Sequence, residues 1–281
     1  MSEVLVYASD VRADQARQVL GQACRATGTT ARLEIYGTGS LYQRLGPRRA
    51  PPLPDIVRWF GPFAARAAAI DGLLQPYQPP RVADGAIHDP DWKWTSLEYS
   101  AIGVAGDQPV PTWQDLAAVP RLAMADPERS EIGLSLLLAS LDRARQMDGD
   151  VERGWAWWQS RAAAGLVLSE DDAGALALVQ AGAASHALTL SPGATPLVGL
   201  APLPHAIGLA ASSRNLEAAR GLLEWLSSEA AADTLALSPW RAASNGLAAL
   251  WQAAPALDVE WGRQQYTATR ERWAHSGFSP T

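Results

Sequence analysis

The sequence predicts an α/β fold of two lobes, and three observations carry that prediction. Residues 4–74 alternate strand, helix, strand, helix, strand and helix. A second such alternation runs from 122 to 190, and two apolar strands, YSAIGVA at 99–105 and HAIGLAAS at 205–212, bracket it. Alternation of this kind pairs strands in parallel and gathers the loops after them along one edge.

In chain order, Val4–Tyr7 is a short apolar strand ending at Ala8-Ser9-Asp10, a helix N-cap signal. Residues 11–27 have helical periodicity (Val11, Ala16, Val19, Leu20, Ala23) and close at Gly28. Ala31–Tyr36 is a second strand, 41–45 begins a helix, and PRRAPPLP at 47–54 is a linker. Asp55–Trp59 is a third strand, followed by Gly61-Pro62 and the helical AARAAAIDGLL. The Pro-, Gly- and Asp-rich 76–95 reads as surface loop. Beyond the first crossing strand come a short helix capped by Thr112, a strand at 122–125 and a long helix from Ser130 to about Met147. A helix at 154–164, a strand at 166–168, a helix at 171–181 and a strand at 185–190 follow. After the second crossing strand the chain is mainly helical: 216–227, 229–237 and a C-terminal segment through EWGRQQYTATRERW.

Composition narrows the function. The chain has 281 residues, 48% of them hydrophobic, enough for one large or two ordinary cores. A net charge of -6 speaks against nucleic acid, whose binders carry a basic patch. Cys24 is the single cysteine, which excludes an intrachain disulfide and multi-cysteine zinc sites; at helical spacing it reads as a small buried hydrophobe. The four histidines lack ligand spacing, so no metal or cofactor site is expected. No Gly-x-Ser-x-Gly elbow is present, and Asp171-Asp172 reads as a helix start rather than a paired-carboxylate site. No catalytic residue is assigned and an enzyme is not expected. No apolar run reaches the roughly 18–20 residues of a transmembrane helix, and because MSEVLVYASD enters a strand directly, no signal peptide is expected within this sequence.

Several stretches, in order, resemble a known family: VLVYASD, YGTGSLYQRL, PDIVRWFGP, IDGLLQPYQPP, DPDWKWTSLEYSAIGVA, LAMADPERSEIGLSLLLASL, LEAARGLLEWLSSEAAADTLA and DVEWGRQQYTATRERW. Together they are similar to the type II periplasmic solute-binding proteins of ABC importers, nearest the branch with ferric-ion and phosphonate-type binders. The resemblance implies a two-lobe fold with two crossing hinge strands, a ligand cleft closed by hinge motion, and delivery to an inner-membrane permease. Lobe 1 would comprise 1–101 and about 206–281, its C-terminal helices able to touch both lobes, and lobe 2 would comprise 102–205. It implies a monomer and a periplasmic location, or a cytoplasmic one if Met1 is the native start.

Iron-binding members of that branch carry an adjacent tyrosine pair in the second lobe; residues 106–200 contain no tyrosine, so a tyrosine-based ferric site is not expected. By spacing alone, Gly37-Thr38-Gly39-Ser40 fits either a plain turn with a Ser N-cap or a loop whose amides grip an anion. The resemblance favours ligand contact by Thr38, Gly39 and Ser40. Ser130 and Gly133, in DPERSEIG, occupy the corresponding place in the second lobe. Glu131 beside them reads as a surface residue stabilising the helix dipole. Ser9, Trp59 and Thr189 complete the expected ligand site, with burial under the helix at 63–74 the alternative for Trp59. The ligand expected is small and anionic or zwitterionic, phosphonate-like or another oxyanion. The alternatives are a tyrosine-independent ferric-ion or metal-complex binder, a sensor or scavenger without a transporter, and a transferase on the same scaffold.

Overall fold

The computed structural model describes residues 3–9, 13–36, 41–42, 44–45, 52–58, 61–82, 86–191, 193–231 and 255–278. Thr38, Gly39, Ser40 and Trp59 lie outside the described residues. The chain divides into two units: Met1–Tyr99 with Pro204–Ala242, and Ser100–Leu203 with Ala243–Thr281. It passes from the first to the second at Tyr99–Ser100, returns at Leu203–Pro204 and passes to the second again at Ala242–Ala243.

Unit 1 is built on β1 (Val4–Ser9), β2 (Ala31–Tyr36), β3 (Ile56–Arg58), β4 (Leu74–Gln75), β5 (Thr95–Ser100) and β11 (Leu203–Ala210). The sheet order is β2-β1-β3-β11-β4, with β5 also pairing β11. β1 runs parallel to β2 (Ser9 opposite Tyr36) and to β3 (Ala8 opposite Arg58), while β11 is antiparallel to β3. Every residue of β1 is buried, as expected of a central strand covered on both faces. One face packs Val4, Val6, Ile56, Ile207 and Leu209 against α1 (Ala13–Thr27) and α6 (Leu216–Leu226). Pro62, with its fixed φ, starts α2 (Pro62–Ile70), whose Phe63, Ala64, Ala65, Ala68 and Ala69 are fully buried.

Unit 2 carries β6 (Gly103–Gly106), β7 (Leu122–Ala125), β8 (Val167–Ser169), β9 (His186–Thr189) and β10 (Thr195–Pro196), in the order β10-β6-β9-β7-β8. β7 is parallel to both β8 and β9, and β6 is antiparallel to β9. α3 (Glu131–Asp148) begins at the Ser130 cap and ends at Gly149, whose φ of 71° suits a residue without a side chain. α4 (Val151–Ala163) follows directly, because Asp150 caps it by accepting from the Glu152 amide. The helix therefore starts three residues before the expected Gly154. Trp158 donates to Ser140 Oγ across the α3–α4 contact at 2.8 Å. α5 (Asp172–Gln180) is capped by Asp171.

Two expectations change here. YSAIGVA is not one strand: β5 ends at Ser100 in the unit 1 sheet, and β6 opens at Gly103 in the unit 2 sheet. Residues 86–95 are not simply surface, since Asp89 is fully buried, pairs with Arg66 and accepts from the amides of Asp91 and Lys93. The C-terminal helix α7 (Val259–His275) packs on α3 within unit 2.

Candidate ligand site

In a parallel sheet, loops that leave the carboxyl ends of neighbouring strands converge, and ligands bind there. In unit 2 those loops follow β7, β8 and β9. They bring Asp126–Ser130, Ser169–Asp171 and Leu190–Ser191 to one edge of the sheet. The Asp126 amide donates to Ser169 O at 2.8 Å, closing two of the loops on each other.

Ser130 sits at the centre of this edge. It is 3% exposed, takes extended backbone angles and accepts from the Gly133 amide at 3.4 Å, so its hydroxyl hydrogen is still available to donate. Gly133 has a steric role: a Cβ built there would lie 2.2 Å from the Ala125 carbonyl oxygen. Only glycine lets the first turn of α3 press on the end of β7. Thr189, fully buried at the end of β9, donates to Asp172 at 2.7 Å and accepts from the Ser191 amide at 3.0 Å. It pins β9 to the start of α5. In unit 1, Ser9 is fully buried at the end of β1, and its Oγ has no partner among the described residues.

Glu131 is not the surface residue the sequence suggested. It is 3% exposed and accepts from the Tyr266 hydroxyl of α7. Burial pushes its carboxyl up to about 8, against the opposing pull of the Tyr266 and Ser135 hydroxyls and the nearby Arg270 charge. At neutral pH the group is therefore mostly protonated and leaves the positive end of α3 uncancelled.

The residues that sequence reasoning missed are on α7. Tyr266, Arg270 and Trp273 lie at i, i+4 and i+7, on one helical face. They hold in turn the Glu131 carboxyl group, the Glu128 carbonyl and, at 3.1 Å, Asp126 Oδ1. The whole loop from β7 to α3 is strapped by this helix. A tyrosine is thus present in unit 2, but it comes from the far end of the chain. The i, i+4, i+7 spacing is visible in sequence; its partner, more than 130 residues away, is not.

Charge at this edge is mixed. Arg129, whose side chain is 65% exposed, lies 3.6 Å from Glu170 and 3.9 Å from Asp126. Asp171 and Asp172 are engaged at the start of α5, with Gly174, Thr189 and Leu190. Among the described residues, no group of three or more His, Cys, Asp or Glu is arranged to hold a metal ion. No described helix is long and apolar enough to cross a membrane.

No family model and no curated protein matches the sequence. Solved structures do. The chain is similar to the periplasmic binding protein AfuA from Actinobacillus pleuropneumoniae, solved with exogenous fructose-6-phosphate bound. Identity is 13% over 98% of each chain, with a TM-score of 0.74. It is similar to a ferric binding protein from Campylobacter jejuni at 15% identity, covering 98% of this chain and 100% of that one, with a TM-score of 0.76. A periplasmic thiamin binding protein gives 18% identity over 99% and 96%, with a TM-score of 0.75. At such identities the likeness is one of fold: the α/β fold of periplasmic solute-binding proteins, over essentially the whole chain.

Proposed function

We propose that the chain is the solute-binding component of an ABC importer and takes a small anionic or zwitterionic ligand, with the anionic group at the start of α3. The observation that carries this reading is the convergence at Ser130. There a helix N-terminus, a hydroxyl able to donate and a glycine-permitted close approach meet at the carboxyl edge of a parallel sheet. Protonation of the buried Glu131 keeps that helix end receptive to negative charge. Thr38, Gly39 and Ser40, with Ser9 and Trp59, are the contacts proposed for unit 1. Hinge bending at the two crossing segments, and recognition of the liganded form by a membrane permease, complete the proposal. A transferase on this scaffold gains no support, because Lys93, the only lysine, donates to the Ala69 carbonyl within unit 1.

The test is a thermal-shift and calorimetric panel of phosphate, sulfate, phosphonates, sugar phosphates, amino acids, thiamin and ferric ion. A ligand that binds only the folded chain raises its stability with concentration over Kd. At least one oxyanion or zwitterion should stabilise the protein, and the Thr38→Ala/Ser40→Ala double variant should bind it about tenfold more weakly. Stabilisation by ferric ion alone, or unchanged affinity in the double variant, would overturn the reading.

A further inference from the structure

The unit 1 sheet contains a charged cluster that no part of the ligand site uses. Arg58 of β3, Glu98 of β5 and His205 of β11 meet there; His205 is fully buried, Arg58 is 8% exposed and the Glu98 side chain is 10% exposed. The Arg58 guanidinium pairs with Glu98 Oε1 through Nη2, and His205 Nδ1 lies 3.7 Å from the same oxygen. One carboxylate is therefore shared by a cation and an imidazole from two other strands. The surroundings are apolar. Arg58 and Glu98 border a cavity of about 30 Å³ whose other walls are Val6, Leu33 and Ile207 of the sheet, Ala16, Val19 and Leu20 of α1, and Leu226 of α6. Among the described residues, those helices bring no further charged or titratable group to the cavity.

The position of the cluster gives it meaning. β5 and β11 carry the first two of the chain's three passages between units. Glu98 precedes the first passage, Tyr99–Ser100, and His205 follows the second, Leu203–Pro204. β3 holds the register, with Arg58 opposite Ile207. A buried charge is tolerated only while paired, so any twist that separates β5 from β11 strips Glu98 of a partner in low dielectric. Imidazole is the side chain whose charge ordinarily changes near neutrality. Protonated, His205 adds a second cation to the Glu98 carboxylate and tightens β11 to β5. Neutral, it leaves the Arg58 guanidinium to hold Glu98.

We propose that Arg58, Glu98 and His205 form a pH-responsive latch on the two crossing strands, which restricts hinge bending when His205 is protonated and relaxes it when His205 is neutral. This rests on the binding-protein reading for its purpose, but the test needs no ligand. Gln18→Cys on α1 and Gln159→Cys on α4, both exposed, would carry a donor–acceptor dye pair in a Cys24→Ser background. Single-molecule transfer efficiencies are then recorded in apo protein at pH 5.5, 6.5, 7.5 and 8.5.

The expected result is a distribution at least twofold narrower at pH 5.5 than at 8.5, with that dependence lost in both His205→Asn and Glu98→Gln. A pH-independent distribution in the His205-containing protein overturns the proposal without any variant, so a folding failure of either substitution does not protect it. Persistence of the pH dependence in His205→Asn overturns it as well. If the ligand panel fails while the pH response and its loss in His205→Asn are seen, the latch stands and the importer reading falls.

Discussion

Two carboxyl groups, one in each unit, are almost equally buried and have been driven in opposite directions. Asp55 of unit 1 is 4% exposed and Glu131 of unit 2 is 3% exposed. Burial raises both, yet Asp55 ends below its ordinary value and Glu131 ends at about 8. Although their solvent exposure is alike, Glu131 is surrounded by far more protein, and the two differ also in the number of donors. Asp55, at the amino end of β3, accepts from the Leu5 amide at 2.9 Å, the Ser213 hydroxyl at 2.8 Å, the Arg214 and Asn215 amides and the Asn215 side chain. Those bonds together outweigh desolvation. Glu131 has two hydroxyls and a nearby guanidinium, which do not. Unit 1 thus spends its donors on a structural joint at the edge opposite β1's carboxyl end. Unit 2 leaves its buried acid under-solvated, beside the proposed site.

The largest expected effect breaks the unit 1 joint. Asp55→Ala strands three backbone amides and two side-chain donors, at roughly 1 kcal/mol or more each, so about 4–5 kcal/mol of unfolding free energy should disappear. Because the folded pKa of Asp55 lies below its unfolded value, its contribution is present above about pH 4 and is lost as pH falls through the folded pKa. Urea titrations at pH 7 and pH 3 should show a wild-type advantage that shrinks at the lower pH. An equal gap at both would mean that the hydrogen-bonded charge is not what holds the joint.

Glu131 should show the opposite slope. Its folded pKa is raised, so its contribution is complete below the unfolded pKa, near 4.5, and is lost as pH climbs to about 8. Over that window the loss is on the order of 4 kcal/mol. Glu131→Gln keeps the shape and the acceptor for Tyr266 but cannot ionise. Its stability relative to wild type should therefore rise steadily between pH 5 and pH 8 and level off above. Parallel stability curves for the two proteins would show that Glu131 is not held neutral by its burial.

A smaller effect tests the close approach beneath the site. In Gly133→Ala the new methyl meets the Ala125 carbonyl, and the first turn of α3 must move away from β7. Overpacking of this kind costs about 1–3 kcal/mol. The shift should be read in amide chemical shifts of residues 126–135 as well as in melting temperature. A variant as stable as wild type, with unchanged shifts there, would contradict the packing described for α3.

How much of this was legible in the sequence depends on whether the cause was local. VLVYAS announced a buried strand because every residue is apolar or small. α3 announced its start through Ser130, and α5 through Asp171, because a cap is a contact between residues three apart. The division of YSAIGVA between two sheets was not legible: the run is continuously apolar, and only its partners, β11 on one side and β9 on the other, break it at Ala101-Ile102. Glu131 looked like a surface acid for the same reason. A glutamate in a first helical turn is ordinarily exposed, and what buries it is Tyr266, 135 residues away. The Ser130 cap was readable. The strap that holds it was not.

The smallest expected effect is also the one that separates a cap from a ligand contact. Ser130 reaches the Gly133 amide only at 3.4 Å, a long bond, so as a cap it should contribute less than the typical ~1 kcal/mol. Ser130→Ala should therefore melt close to wild type in the absence of ligand. If the hydroxyl hydrogen is donated to a bound anion, the same change removes a charge-assisted bond, and affinity should fall by about tenfold or more. Ser130→Thr keeps the hydroxyl and should recover much of that loss. Calorimetry with whichever oxyanion the panel identifies reads all three proteins. A loss of stability as large as the loss of affinity, with no recovery in the threonine variant, would make Ser130 a cap and nothing more.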